Sequence, residues 1–285
     1  MLSTVEEVRN WSRQCRQGEK SVGFVPTMGA LHDGHLRLVL SANEQCDATL
    51  VSIFVNPSQF GPNEDFDKYP RTLENDLSLL RNTGSPAVFC PMDSLVYPTD
   101  FGTFVDVDGV SSPFEGAIRP GHFRGVATVV LKFLMMVLPD KLYLGQKDFQ
   151  QVCVLKKMIA DLNVPVEAIV CPTVREPDGL AMSSRNQYLS AEERKQAVVL
   201  SQALVLAEKM ITSEHCRDVT VIRQALISRI RQMPAASIDY AAIADPKTLQ
   251  EIEILDPQKT PEVVVLLAVR IGTTRLIDNC LCRCR

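Results

Sequence analysis

Apolar positions along this chain form two kinds of run, and their alternation predicts the first half of the fold. Short, nearly continuous apolar runs lie at residues 21–26, 48–55, 86–90, 141–144 and 166–170. Runs of that length bounded by polar residues read as strands buried on both faces. Between them, apolar residues recur at helical spacing over residues 35–46, 70–82, 123–138 and 148–162, with Leu73, Leu77 and Leu80 in register. Strands alternating with helices predict the α/β class, with a mostly parallel sheet covered on both faces. Right-handed crossovers then place the segments after the strand C-termini along one edge, where open α/β sheets bind ligands. Those segments are residues 27–35, 56–60, 145–148 and 173–185.

After about residue 186 the pattern changes. Helical stretches at 191–210 and 218–233 precede apolar runs at 237–244, 262–269 and 273–278, which predicts a smaller C-terminal α+β domain. No Pro/Gly/Ser linker separates the halves, so residues 175–190 read as a hinge, with domains at 1–176 and 177–285. A length of 285 residues accommodates two such domains.

Composition narrows the function. Hydrophobic residues make up 46% and charged residues 22%, ordinary for a globular protein. A net charge of −4 argues against a general binder of nucleic acid or anionic membrane. The greasiest run, 126–138, is interrupted by Lys132 and falls short of the roughly 18 apolar residues of a membrane span. Early acids at Glu6 and Glu7 read against a secretory signal. Nine cysteines, an odd number, then fit reduced thiols in the cytoplasm. Cys280, Cys282 and Cys284 alternate, a poor spacing for tetrahedral zinc, so no metal site is expected there and the tail reads as frayed or a strand end.

The densest chemistry lies at residues 25–35. His32 and His35 are three residues apart, one helical face, directly after a strand and a glycine-containing turn. Unpaired N–H groups and the positive end of a helix dipole would make this turn a phosphate cradle. Taken alone, such a histidine pair is as easily surface or core. Gly145, Gln146, Lys147 and Asp148 sit between a strand and a helix: the lysine can neutralise phosphate, while the aspartate takes ribose hydroxyls or simply caps the helix. Gln150 and Gln151 follow in an otherwise apolar helix, so at least one should face a polar pocket. Asn56 and Gln59 end a strand with amides suited to a small hydroxy acid, or merely with an Asn-Pro turn. Met182, Ser183, Ser184 and Arg185 offer hydroxyls and a guanidinium to outer phosphates, or form an ordinary loop. Residues 115–125, glycine-rich and basic, read as a loop that closes over a ligand. Neither a Walker motif nor Gly-x-Gly-x-x-Gly is present.

Six motifs in order carry a resemblance: VPTMGALHDGH (25–35), SIFVNPSQF (52–60), EGAIRPGHFRGVATVV (115–130), GQKDFQQ (145–151), PTVREPDGLAMSSRNQYLS (172–190) and TRLIDN (274–279). With them the chain resembles the pantoate–β-alanine ligases, within the HxGH nucleotidyltransferase superfamily. The resemblance implies a Rossmann-like doubly wound sheet that binds ATP and pantoate, with the C-terminal domain closing over the active site. ATP, with Mg²⁺, and pantoate would give an enzyme-bound pantoyl adenylate, from which β-alanine displaces AMP. Catalytic roles would fall to His35 as proton donor, His32 and Lys147. ATP would be lined by Met28, Gly29, Ala30, Leu31, His32, Asp33, Gly34, His35, Gly145, Gln146, Lys147, Asp148, Val174, Met182, Ser183, Ser184 and Arg185. Gln59 and Gln151 would hold pantoate, Gln59 also lying near β-alanine. Gln146 stands where the family pattern favours glutamate. The implied partners are small-molecule substrates, without nucleic acid or membrane, and the implied assembly is a homodimer. A nucleotidylyltransferase acting on a phosphorylated acceptor shares the histidine motif but not the order of all six; a tRNA-charging enzyme is disfavoured by the acidic balance and the lack of an anticodon-binding extension, and a nucleotide-sensing module by the retained histidine pair with Lys147.

Overall fold

The computed structural model describes residues 1–62 and 64–284, which divide into two units: Met1–Gln146 with Gln150–Pro172, and Lys147–Phe149 with Thr173–Arg285.

The first unit runs α1 (Val5–Gln17), β1 (Val22–Thr27), α2 (Asp33–Gln45), β2 (Ala48–Ile53), α3 (Leu73–Arg81), β3 (Ala87–Phe89), α4 (Asp93–Val96), α5 (Glu115–Ile118), α6 (His122–Val137), β4 (Lys141–Gly145), α7 (Phe149–Asp161) and β5 (Glu167–Cys171). Its five strands are all parallel, in the order β3-β2-β1-β4-β5. The strand order reverses between β1 and β4, so the segments leaving their C-terminal ends diverge there, at the usual ligand crevice of open α/β sheets.

Alternation along the strands explains the two covering layers. Val25 and Val51 face Leu38, Val39 and Ala42 of α2. The adjacent Phe24 points the other way, edge-on to Phe133 of α6 with ring centroids 6.4 Å apart; Phe54 and Phe89 meet the same ring at 5.8 and 5.6 Å. The sheet is thus covered on both faces, as the alternation predicts. Helix α1 lies outside the elements that the apolar pattern predicts. Its signal is Thr4, whose hydroxyl accepts the Glu7 N–H while the Glu7 carboxylate accepts the Thr4 N–H, a capping box ahead of an apolar stripe at Val8 and Cys15.

The second unit contains α8 (Ala191–Ala197), α9 (Val199–Thr212), α10 (Val219–Ile230), β6 (Ala236–Ala244), β7 (Glu262–Ile271) and β8 (Thr274–Arg283). The strands are antiparallel in the order β6-β7-β8, and α9 and α10 cover one face around Leu200, Leu204, Ile222, Val265 and Val269. The single helix expected over 191–210 is two, broken at Val198. β8 continues to Arg283 rather than ending at 278. Cys280 and Cys282 are therefore strand residues on one face, with their sulfurs 3.6 Å apart and Cys282 buried. None of the nine cysteines is in a disulfide, and no described helix is long and apolar enough to cross a membrane.

Candidate functional site

The turn after β1 is braced from within the protein. The Thr27 hydroxyl donates to the Ser52 carbonyl at 2.7 Å and accepts the Gly29 N–H at 3.2 Å. Gly29 (φ 80°) and Ala30 (φ 49°) then both take left-handed conformations, so the N–H groups of the turn converge. Into that concavity reaches Asp76 of α3, fully buried, accepting the N–H groups of Ala30 and Leu31 at 2.9 Å each and the Thr72 hydroxyl at 3.1 Å. A β-carbon on Gly29 would stand 3.0 Å from the Asp76 Oδ2, so glycine is required twice over there. The Ala30 and Leu31 N–H groups of this turn thus hold an internal carboxylate. Sequence reasoning does not single out Asp76, although residues 73, 76, 77 and 80 share one helical face and an acid on an apolar stripe is the available signal.

The histidine pair does share a face, with ring centroids 4.1 Å apart and tilted by 35°. His32 is the N-cap of α2, and its Nδ1 accepts the Gly34 N–H at 3.2 Å. His35, three residues on, accepts the His32 N–H on its own Nδ1 at 3.4 Å. The two imidazoles thus form a capping box usually made by Ser/Thr and Glu. One first-turn N–H read as open in the sequence, that of Gly34, is therefore capped by an imidazole. With Nδ1 accepting, the hydrogen of each neutral ring sits on Nε2.

Asn56 and Gln59 are likewise set by neutral hydrogen bonds. Asn56 caps the 3-10 turn Pro57–Gln59; its Oδ1 accepts the Ser58 and Tyr97 hydroxyls, both at 2.8 Å. Its Nδ2 donates to Gln59 Oε1 at 2.9 Å and to the Gly125 carbonyl at 3.2 Å. That fixes which end of the Gln59 amide is the donor, and its Nε2 lies 3.0 Å from the Met28 sulfur. The structure so brings together Met28 and Gln59 from separate motifs. Gly125 allows the approach of α6: a β-carbon there would fall 2.3 Å from the Ser58 carbonyl oxygen.

Residues 115–125, expected to be a closing loop, are instead α5, a short turn and the start of α6. Arg119 grips Glu64 through two hydrogen bonds, Nε at 2.7 Å and Nη2 at 2.6 Å. Burial raises the Glu64 carboxyl, but this guanidinium overrides it and holds the pKa below its ordinary value. His122 is buried, with Nδ1 2.9 Å from the Gln59 carbonyl and Nε2 3.2 Å from Arg119 Nη1. Burial first, and the Arg119 charge second, push its pKa down to about 4, so the ring is neutral at pH 7 and its Nδ1–H donates to Gln59. Sequence reasoning places neither residue in this role; a histidine between Gly121 and Phe123 gives no cue to a buried partner. Of the glutamine pair, Gln150 is fully used inside the protein, donating to the Val110 and Pro113 carbonyls and accepting the Glu115 N–H. Gln151, the next residue, is half-buried. Gly145 and Gln146 end β4 and open the 3-10 turn Gln146–Asp148.

In the second unit, Lys147 is half-buried with Nζ 3.5 Å from Asp148 Oδ1, and its carbonyl accepts Asn279 Nδ2 at 2.9 Å. Residues 174–182 form a hairpin, closed by the Met182 N–H on the Val174 carbonyl at 3.0 Å and an antiparallel bridge between Arg175 and Ala181. Ser183 then caps the 3-10 turn Ser184–Tyr188 by accepting the Arg185 N–H. This segment is tied down by ion pairs: Arg175 to Asp278 at 2.6 Å, and Arg194 to Glu176 and Asp178 at 2.6 and 2.7 Å.

Comparison with known proteins names the family. A sequence profile of the pantoate-beta-alanine ligases matches residues 1–281. Pantothenate synthetases from Herpetosiphon aurantiacus and Thermotoga neapolitana are 51% and 49% identical over 279 residues, covering 98% of this chain and of each relative. Among solved structures, the Thermus thermophilus pantothenate synthetase superposes with a TM-score of 0.90 at 43% identity, covering 98% of both chains. A Francisella tularensis pantoate-beta-alanine ligase, complexed with beta-gamma ATP and beta-alanine, does so with a TM-score of 0.80 at 33% identity, over 99% of this chain and 97% of that one. An all-parallel sheet in the order β3-β2-β1-β4-β5, a histidine-capped helix after β1 and a profile match across nearly every residue agree, and the chain belongs to the pantoate-beta-alanine ligase family.

Proposed function

We propose that this chain condenses (R)-pantoate with β-alanine to pantothenate in two steps, with the residues named above in definite roles. A pantoate carboxylate oxygen attacks the α-phosphorus of ATP; the bond to the bridging oxygen of pyrophosphate breaks, leaving pantoyl adenylate. The β-alanine amine then attacks the acyl carbon, the bond to AMP breaks, and the nitrogen loses its extra proton as the amide forms. Both steps build negative charge on phosphoryl oxygens, so the protein's task is to place donors there in advance.

The observation that carries this reading is the histidine capping box. Spending both Nδ1 atoms on backbone N–H groups leaves Nε2–H as the donor of each neutral ring. His32 and His35 then stabilise phosphoryl oxygens by hydrogen bonds, and His35 need not transfer a proton, because pyrophosphate is a good leaving group. Lys147, Ser183, Ser184 and Arg185 supply cationic and hydroxyl contacts to the phosphates, and Met28, Gly29, Ala30, Leu31, Asp33, Gly34, Gly145, Gln146, Asp148, Val174 and Met182 complete the ATP contacts. Gln59 and Gln151 hold pantoate, Gln59 by the amide end that Asn56 orients. Mg²⁺ would enter as MgATP and share the load of the phosphate charge. A homodimer in the cytoplasm completes the reading, supported by the family and by thiols that are not in disulfides.

The test is pantoate-dependent exchange of labelled pyrophosphate into ATP, followed without and with β-alanine. Exchange without β-alanine, and AMP plus pantothenate with it, are expected. His35→Ala and Lys147→Ala should fold normally and lose roughly 10²–10³ in exchange rate, the typical cost of removing a preorganised donor. Wild-type exchange in either variant would refute its assigned role.

A further inference from the structure

The TRLIDN motif stands out in the sequence, yet no substrate contact above uses it. Its last two residues, Asp278 and Asn279, are adjacent on β8 and so point to opposite faces of the strand. Both are buried. Asn279 gives its Nδ2–H to the backbone carbonyl of Lys147 at 2.9 Å. Asp278 receives Arg175 through two parallel hydrogen bonds, at 2.6 and 3.0 Å, and also accepts the Asn279 N–H at 2.8 Å. Arg175 in turn donates to the Gly179 carbonyl across the hairpin at 3.0 Å. Burial weakens the Arg175 charge, but the Asp278 carboxylate overrides it and raises the guanidinium pKa. Two neighbouring polar side chains on one strand therefore clasp two separate stretches of chain, one carrying Lys147 and the other leading into Met182–Arg185. An apolar strand pattern needs neither group, and burying both costs free energy unless each is fully partnered.

We propose that Asp278 and Asn279 are positioning residues for the nucleotide: Asn279 fixes the backbone from which Lys147 projects, and Asp278, through Arg175, fixes the hairpin that delivers Met182, Ser183, Ser184 and Arg185. The proposal rests on the assignment of those residues to ATP.

The test is steady-state pyrophosphate exchange, with ATP and pantoate varied separately, on the full chain. Loss of one neutral hydrogen bond of this kind predicts that Asn279→Ala raises the KM for ATP roughly tenfold, with the KM for pantoate within about twofold. Asp278→Asn, which removes the carboxylate charge from Arg175, should do the same. Asn279→Gln keeps the amide and should restore most of the ATP affinity. In a double-mutant cycle, Asn279→Ala should cost far less when Lys147 is already alanine, because the two act as one unit. Equal damage to both substrates, full additivity with Lys147→Ala, or failure of both Asn279 variants to fold would overturn the proposal. Calorimetric titration of ATP separates it from the reaction reading. A wild type that binds ATP without exchanging pyrophosphate, beside an Asn279→Ala variant that binds roughly tenfold more weakly, would leave the positioning role standing and remove the assigned activity.

Discussion

The two units hold their functional segments by different physics. In the first, the turn after β1 and the Asn56–Gln59 segment are set by buried amides, hydroxyls, backbone groups, one neutral histidine and the Asp76 carboxylate. In the second, the hairpin at 174–182 and the turn after it are set by guanidinium–carboxylate pairs, some of them partly exposed. A buried hydrogen bond is short-ranged and indifferent to salt, but leaving it half-made is costly. A part-exposed ion pair is individually weak and screened by ions. Breaking the Asp76 contacts of the first unit should therefore have a large, salt-independent effect, and breaking the part-exposed Arg194 pairs of the second a small, salt-dependent one.

The largest effect is expected at Asp76. Asp76→Ala removes the carboxylate that accepts the buried Leu31 N–H and the part-buried Ala30 N–H, in a turn whose left-handed Ala30 already costs conformational energy. Two hydrogen bonds to a buried carboxylate, each worth about 2 kcal/mol, predict a loss of about 4 kcal/mol in urea unfolding, with exchange activity lost as well. A loss under about 1 kcal/mol, the net value of a single ordinary hydrogen bond, would mean that the turn holds itself.

Next comes the pH dependence at His122. Its pKa is about 4 in the fold, against an ordinary 6.5, so between those values the unfolded chain binds a proton that the folded chain does not. Stability from this group is then fully present above about 6.5 and falls as the pH drops toward 4, by about 3 kcal/mol in total. Thermal melts at about pH 7 and about pH 5, either side of the ordinary histidine value, should show His122→Gln to be the less acid-sensitive protein. Glutamine keeps a neutral donor toward the Gln59 carbonyl. Equal slopes would show that the ring is not the titrating group.

Much of this architecture is legible in the sequence because its cause is local. Strand and helix periods predict the β/α alternation, and that alternation predicts parallel strands. His32 and His35 are expected on one face from spacing alone, and so they are. What stays hidden depends on contacts between distant residues. Nothing near Leu31 announces that Asp76, 45 positions away, fills its turn. Nothing in residues 115–125 announces that a carboxylate at Glu64 and the carbonyl of Gln59 make helices of a stretch that reads as a loop. The cap donors of α2 read as open because histidine is an unusual capping residue, and pattern rules carry the usual ones.

Gly125→Ala tests the close approach that orients Gln59. The added carbon would overlap the Ser58 carbonyl, which cannot retreat without shifting the Pro57–Gln59 turn. Overpacking of this kind predicts a loss of about 2 kcal/mol and a raised KM for pantoate, both unchanged between low and high salt. An unchanged pantoate KM would separate the turn's packing from the amide's role.

The smallest effect belongs to the second unit and is the sharpest check on the contrast. Arg194 bridges Glu176 and Asp178 and is itself about a quarter exposed. Because solvent screens this pair, Arg194→Ala should cost about 1 kcal/mol or less at low ionic strength. At about 1 M salt the Debye length shrinks to about 3 Å, so the difference between variant and wild type should nearly vanish. Urea unfolding of both proteins at two salt concentrations reads this directly. If the penalty survives at high salt, Arg194 acts by packing its aliphatic stem, and the second unit is held, like the first, by contacts that ions do not reach.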